Sequence, residues 1–269
     1  MLAELQDATG VDFEVSASQY RAFTANAQNS VQESDFYLAL LDIFQKLSGE
    51  FVVGKVRAVD AWAGGESEFR LVTKSWESVV DKLYRLNIEE NGQFSSPPYV
   101  KTIRERAQRS EHPANQRWIT PNLVGDYADD LVRTKFVVPF VDGVVDVSER
   151  ITRAIDDCGL PRFRRYHAKD SGYHARHHYI LLPVPGFEGG ASTIALEVKV
   201  LTKMQDMLGE LTHLLYEQKR IGRIATEEKR KLAWLFDSPD FLASYVGHSA
   251  HLIEAIMVEL KKKIQGLEG

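Results

Sequence analysis

STIALEVKVL, at residues 192–201, alternates in character along its length. In an extended chain Ile194, Leu196, Val198 and Val200 fall on one side, and Ala195, Glu197 and Lys199 on the other. The density of β-branched residues predicts a strand over 193–201. Upstream, a glycine-rich turn at 186–190 joins it to a second expected strand, 174–184 (HARHHYILLPV), and before that come an expected helix at 144–158 and a strand at 132–140 (VRTKFVVPF). Downstream a helix is expected over 203–219. Strands outnumber what a simple doubly wound repeat needs, and one hairpin is antiparallel. The expected class is therefore α/β (α+β), with a mixed sheet of about five strands flanked by helices.

Outside this centre the pattern is helical from Ser18 to Leu47 and stops at Gly49. Phe51 to Trp62 alternates, Gly64-Gly65 breaks it, and Glu68 to Thr73 reads as the returning strand of a hairpin. Ser75 to Leu86 is an amphipathic helix, residues 91–122 are a long connecting segment rich in turn signals, and everything from Thr226 onward is helical. Three units are expected: a helical extension at 1–49, a central domain at 50–220 and a second helical extension at 221–269.

Composition narrows the class. The 269 residues are 44% hydrophobic and 26% charged, with a formal net charge of -5, which excludes disorder, collagen and a coiled-coil rod. The lone Cys158 permits no internal disulfide and no cysteine zinc site, so a reducing compartment, the cytoplasm, is expected. The amino terminus is acidic, and no run of about 18 apolar residues is seen, so neither a signal peptide nor a membrane span is expected. Acidity argues against non-specific coating of nucleic acid but permits a local basic pocket.

Five places carry chemistry. Glu197 and Lys199 lie in the middle of an otherwise buried strand, and are either a satisfied structural pair or a site. On the next helix Asp206, Glu210, His213 and Glu217 form an acidic stripe, opposite an apolar one of Met204, Leu208, Leu211 and Leu215. Arg162, Arg164, Arg165, His167 and Lys169 precede Gly172-Tyr173-His174-Ala175-Arg176-His177-His178; this is a solvated basic face or a phosphate site with tyrosines for a base to stack on. Lys74, Ser78, Lys82 and Arg85 share one side of the 75–86 helix; cations near a helix start are not dipole compensation, so this is a solvated face or a set that joins the helix start in holding a polyanion. Asp129-Asp130 stands before the 132–140 strand as turn aspartates or as ligands for a hard cation. His248 and His251 read as packing or surface histidines rather than metal ligands, for want of a third.

These pieces, in this order, resemble the synthetase domain of the RelA/SpoT family of alarmone synthetases. Asp130-Leu131-Val132-Arg133-Thr134-Lys135 is similar to that family's D-[IL]-x-G-x-R strand, and Gly172-Tyr173-His174-Ala175-Arg176-His177 to its G-Y-R-S-x-H loop. Glu197-Val198-Lys199-Val200-Leu201-Thr202 resembles its E-x-Q-x-R-T strand, with His213 at the family's spacing beyond it. Lys74-Ser75-Trp76-Glu77-Ser78 with Lys82 resembles its phosphate-binding K-S-x-x-S-x-x-x-K segment. The departures, His174 for Arg, Lys199 for Gln and Leu201 for Arg, lie mainly around the acceptor.

The resemblance implies a nucleotidyltransferase-like fold and ATP-dependent transfer of pyrophosphate to the ribose 3′-hydroxyl of GDP or GTP. It implies catalytic roles for Glu197 and Asp130, with both as candidate Mg²⁺ ligands. Lys74, Ser78, Lys82, Lys135, Arg162 and Arg164 would bind ATP phosphates. Tyr173, His174, His177, Lys199 and His213 would form the acceptor side. No hydrolase signature precedes the domain, so a small, synthetase-only member is expected. The alternative is a toxin restrained by an antitoxin, acting on the tRNA 3′ CCA end or on adenosine nucleotides, with Arg164, Arg165, Arg176, His174, His177 and His178 guiding RNA. A non-catalytic binding module is the third reading. Self-association through the terminal helices is a further expectation.

Overall fold

The computed structural model describes residues 1–49, 69–91, 96–109, 114–187, 189–220 and 238–267. Among these the strands are β1 (Val72–Thr73), β2 (Tyr99–Val100), β3 (Asn115–Gln116), β4 (Val132–Val138), β5 (Arg162–Ala168), β6 (His174–Pro185) and β7 (Ala191–Thr202). The α-helices are α1 (Leu2–Thr9), α2 (Phe13–Gln32), α3 (Asp35–Gly49), α4 (Trp76–Tyr84), α5 (Ile103–Ala107), α6 (Val124–Tyr127), α7 (Val141–Asp157), α8 (Lys203–Arg220) and α9 (Pro239–Leu267).

Five strands form one mixed sheet in the order β1-β4-β7-β6-β5, in which only β4 and β7 run parallel. β2 and β3 make a separate small hairpin. The even-numbered residues Ile194, Leu196, Val198 and Val200 of β7 are fully buried, packed with Val132 and Phe136 of β4, Ile180 of β6, and Val147, Ile151 and Ile155 of α7. The same core takes in Leu5, Phe13, Tyr20 and Phe23, so the N-terminal helices share the core of the sheet. The alternation read from the sequence is the alternation observed.

Local signals set the helix bounds. The Asp12 carboxylate accepts from the backbone N–H of Glu14 and Val15 (2.9 and 3.2 Å) and starts α2. The single helix expected over 18–47 is two: Ser34 Oγ accepts from Tyr37 N–H (3.2 Å) and begins α3 after a break at Glu33-Ser34. Ser75 caps α4, which widens into one π turn at Arg85–Glu89. That turn points Asn87 inward, where its side chain donates to the Ile119 carbonyl (2.8 Å) and accepts from the Ile119 N–H (2.9 Å). The expected strand at Phe51–Trp62 lies outside the described residues, as does the expected helical start at Thr226. Of Glu68–Thr73, Val72–Thr73 is strand and pairs antiparallel with β4. The 91–122 segment, expected as a loop, contains β2, α5 and β3.

Candidate active site

The odd-numbered face of the sheet is apolar at its ends and polar in the middle. Ile103 of α5 packs on Tyr179, Leu181 and Ala195 at one end; Val137, Ala175, Leu201 and Tyr173 pack together at the other. Between them the register sets two rows across four strands: Arg133, Glu197, Tyr179 and Phe163, then Lys135, Lys199, His177 and Arg165. Period two in each strand concentrates these charges on one face.

At the start of β4 two carboxylates are held by four cations, from α4, α5, β5 and the connection before α4. Lys74 Nζ lies 2.7 Å from Asp130, and Lys82 Nζ reaches both Asp130 and Asp129 (2.8 and 2.9 Å). Arg106 of α5 pairs with Asp129 at 3.1 Å and also donates to the Tyr127 carbonyl (2.9 Å). Arg165 approaches Asp129 at 3.8 Å, with its guanidinium over the rings of Phe163 and Tyr179 (5.4 and 5.7 Å). Burial alone would push the Asp130 carboxyl up, but the Lys82 and Lys74 ammonium groups outweigh it and hold it well below the usual carboxylate range. Asp129 is lowered by the same balance, with Lys82 and Arg106 opposing burial. Four cations around two carboxylates leave a surplus of two positive charges, the arrangement that receives a polyphosphate.

In the centre, Glu197 is 4% exposed. Its Oε1 lies 2.7 Å from His177 Nδ1, and its Oε2 makes no hydrogen bond, with Lys199 Nζ 3.3 Å away as an ion partner. Burial raises the Glu197 carboxyl, yet the His177 hydrogen bond and the Lys199 charge bring it below its ordinary value, so it is ionised at neutral pH. Burial lowers His177 and keeps its ring neutral. An ionised carboxylate can only accept, so Nδ1 carries the ring proton and Nε2 accepts from the Tyr173 hydroxyl (3.0 Å). Burial and the nearby Glu197 and Asp206 charges raise the Tyr173 phenol. A cleft of about 470 Å³ opens above this chain, lined by Tyr173, His177, Lys199, Lys135, Arg133 and His213 among others.

The donor set fits a hard divalent cation. Asp129 and Asp130 supply carboxylate oxygens at the start of β4. Among the described residues no three His, Cys, Asp or Glu side chains are grouped so as to hold a metal ion, so a cation here would need further oxygens from phosphate or water.

No protein-family model matches the sequence, and no curated protein matches it. Solved structures do. The small alarmone synthetase 1 from Bacillus subtilis, bound to its product pppGpp, superposes with a TM-score of 0.57 at 14% identity, covering 92% of this chain and 98% of that one. A GTP pyrophosphokinase family protein from Streptococcus pneumoniae gives 0.54 at 18% identity, covering 94% and 95%. The chain has the small alarmone synthetase fold.

On that fold the expected site residues divide. Lys74, Lys82 and Asp130 come together at the start of β4, whereas Glu197, Tyr173, His177, Lys199, His213 and Lys135 gather at the cleft. Lys135 is an expected ATP ligand, yet it ion-pairs with Asp206 of α8 beside the cleft and has no place in the Asp130 cluster. Ser78 is exposed, with its backbone N–H and hydroxyl turned to the capping Ser75. Arg162 and Arg164 have the opposite strand parity. Arg162 donates to the Thr152 carbonyl (2.8 Å) and pairs with Asp156 of α7, and Arg164 stands opposite His178 in the register. Arg106 and Arg165, rather than these two, stand beside Asp129.

His174 also leaves the acceptor side, because it stacks on His251 of α9. His178 is fully buried against Ser148 (2.7 Å) on the core face, and burial pushes its ring down to about 4. The residues expected to guide RNA are thus split between two faces, and no continuous basic track forms from them. The sequence marks Arg165 only as part of a basic cluster and does not mark Arg106, and two local signals point to them. Thr102 and Glu105 form a capping box that fixes α5 and aims Arg106; reading 162–168 as a strand puts Arg165 in parity with Phe163.

Proposed function

We propose that this chain transfers the β,γ-pyrophosphate of ATP to the ribose 3′-hydroxyl of a guanosine nucleotide, GDP or GTP, making (p)ppGpp. The observation that carries the reading is the union, on one sheet face, of a cation-rich carboxylate pair and a buried ionised glutamate beside a cleft. The pppGpp in the Bacillus subtilis structure of the same fold supports the guanosine acceptor.

The acceptor 3′-oxygen attacks the β-phosphorus of ATP, the bond from that phosphorus to the α–β bridging oxygen breaks, and AMP departs. Glu197 takes the hydroxyl proton. His177 and Lys199 keep this carboxylate ionised and fixed, and Oε2 is the oxygen with no other hydrogen bond. Lys74, Lys82, Arg106 and Arg165 exchange part of their pairing with Asp129 and Asp130 for the triphosphate, which aligns it and neutralises developing charge. Mg²⁺, when bound, would be held through Asp130 and the substrate phosphates and would supply further neutralisation of the transferred phosphates. Tyr173 offers its ring to the guanine, and Lys135, Lys199 and His213 line the same cleft. ATP and guanosine nucleotides as co-substrates place the reaction in the cytoplasm.

The test is to incubate the protein with Mg²⁺ and γ-labelled ATP, offering GDP, GTP, adenosine nucleotides and deacylated tRNA separately, with Asp130→Ala alongside. The expected result is label in the guanosine product with the wild type alone. Label confined to adenosine nucleotides or tRNA would replace the acceptor. No labelled acceptor at all would overturn the reading.

A further inference from the structure

The turn at 169–173 forms one wall of the cleft and carries Tyr173. It is closed by two backbone hydrogen bonds, Gly172 N–H to the Lys169 carbonyl (2.8 Å) and Lys169 N–H to the Tyr173 carbonyl (3.0 Å), with the Lys169 ammonium over the Tyr173 ring (5.5 Å). Its outer side meets α9 backbone to backbone. Gly172 sits at φ +77°, and a Cβ there would lie 2.6 Å from the Ser244 carbonyl oxygen and 2.8 Å from Gly247 Cα; a Cβ on Gly247 would lie 2.5 Å from the Gly172 carbonyl oxygen. Only glycine at both positions lets the two segments touch.

Side chains reinforce the contact. Ser244 Oγ donates to the Asp170 carbonyl. Gln205 of α8, 1% exposed, donates to the Gly247 carbonyl (3.1 Å) and accepts from the His174 N–H (3.0 Å), so one amide ties α9 to the residue after Tyr173. His174 then stacks on His251 at 4.0 Å and meets His248 Nδ1 at 3.1 Å. Ser244, Gly247, His248 and His251 are spaced i, i+3, i+4, i+7, one stripe of α9. Parallel stacking of His174 and His251 prevents both rings from directing a lone pair at one metal ion, so this histidine group serves contact.

We propose that Gly247, Ser244 and Gln205 are positioning residues for the acceptor: α9, docked through its small and polar stripe, sets the turn that presents Tyr173 and thereby sets affinity for the nucleotide base. This rests on the proposed pyrophosphate transfer for its kinetic readout, but not for its structural one. Gly247→Ala improves helix propensity while forcing a methyl group against the Gly172 carbonyl, so helix loss does not explain its effect. Gln205→Leu removes the bridging amide and adds no bulk to the turn.

For both variants the account expects at least a tenfold rise in KM for GDP, with KM for ATP within about twofold of wild type. It also expects amide hydrogen exchange at 169–174 to rise at least tenfold while that of β7 stays unchanged. Equal rises in both KM values, or unchanged exchange at 169–174, would overturn the proposal. If the wild type itself labels no acceptor, the transfer reading has failed, and the exchange measurement alone decides the positioning claim.

Discussion

Glu197 and Glu254 are both buried carboxylates, and their surroundings drive them in opposite directions. Glu197 has His177 and Lys199 to offset its desolvation and stays ionised. Glu254, on α9 and 1% exposed, is pushed up to about 7 from its ordinary value of 4.5, because burial outweighs the opposing Thr202 hydroxyl. Between those values the folded state binds the proton more tightly than the unfolded chain does. The stability linked to Glu254 is therefore full below about pH 4.5 and lost as pH rises through 7. Glu254→Gln, which mimics the protonated form, should raise Tm by a few degrees at pH 8 and leave it unchanged at pH 4.5. Thermal melts at the two pH values check this, and a difference that does not vary with pH would contradict it.

Strand parity explains which parts of the site were legible in the sequence. β7 has a wholly apolar even face, so its alternation was plain, and Glu197 and Lys199 stood out on the odd face. β5 offered no such contrast: Arg162, Arg164 and Tyr166 line one side and Phe163, Arg165 and His167 the other, so the edge strand read as a basic cluster. With the strand unrecognised, Arg162 and Arg164 were grouped with the phosphate ligands, although the pleat turns them away from Asp130. The stripe expected on α8 failed for a related reason: the helix buries Gln205 and Asp206 against the sheet end and leaves Leu211 62% exposed. Arg106→Ala and Arg165→Ala are each expected to raise KM for ATP about 10- to 100-fold, since each removes one charge-assisted contact worth about 1.5–3 kcal/mol. Arg162→Ala should leave KM for ATP unchanged and lower Tm slightly through the lost Thr152 and Asp156 contacts. Steady-state kinetics with ATP varied separate the two outcomes.

Taken whole, the molecule joins its terminal helices to the site rather than appending them. Tyr20 of α2 donates to the Lys74 carbonyl (2.6 Å), so an N-terminal helix fixes the backbone beside the Asp130 cluster. α9 wears its amphipathic pattern reversed, with Ser244, Gly247 and Glu254 inward and Leu252, Ile253, Ile256 and Leu260 at least half exposed. By length and composition residues 239–264 could cross a membrane, although no run of apolar residues flagged them in the sequence. Their contacts to the 169–173 turn, and the Lys261 to Asp142 ion pair (2.7 Å), dock this helix on the turn and on α7. Charges on adjacent strands and a turn held by α9 meet at Glu197, while α2 holds the backbone beside the Asp130 cluster. The measurement that tests this most directly compares wild type with Glu197→Gln for AMP release from ATP in the presence of GDP, with ATP binding followed by calorimetry. The account predicts a fall in turnover of about 10²- to 10⁴-fold with ATP affinity preserved; turnover equal to wild type would contradict it.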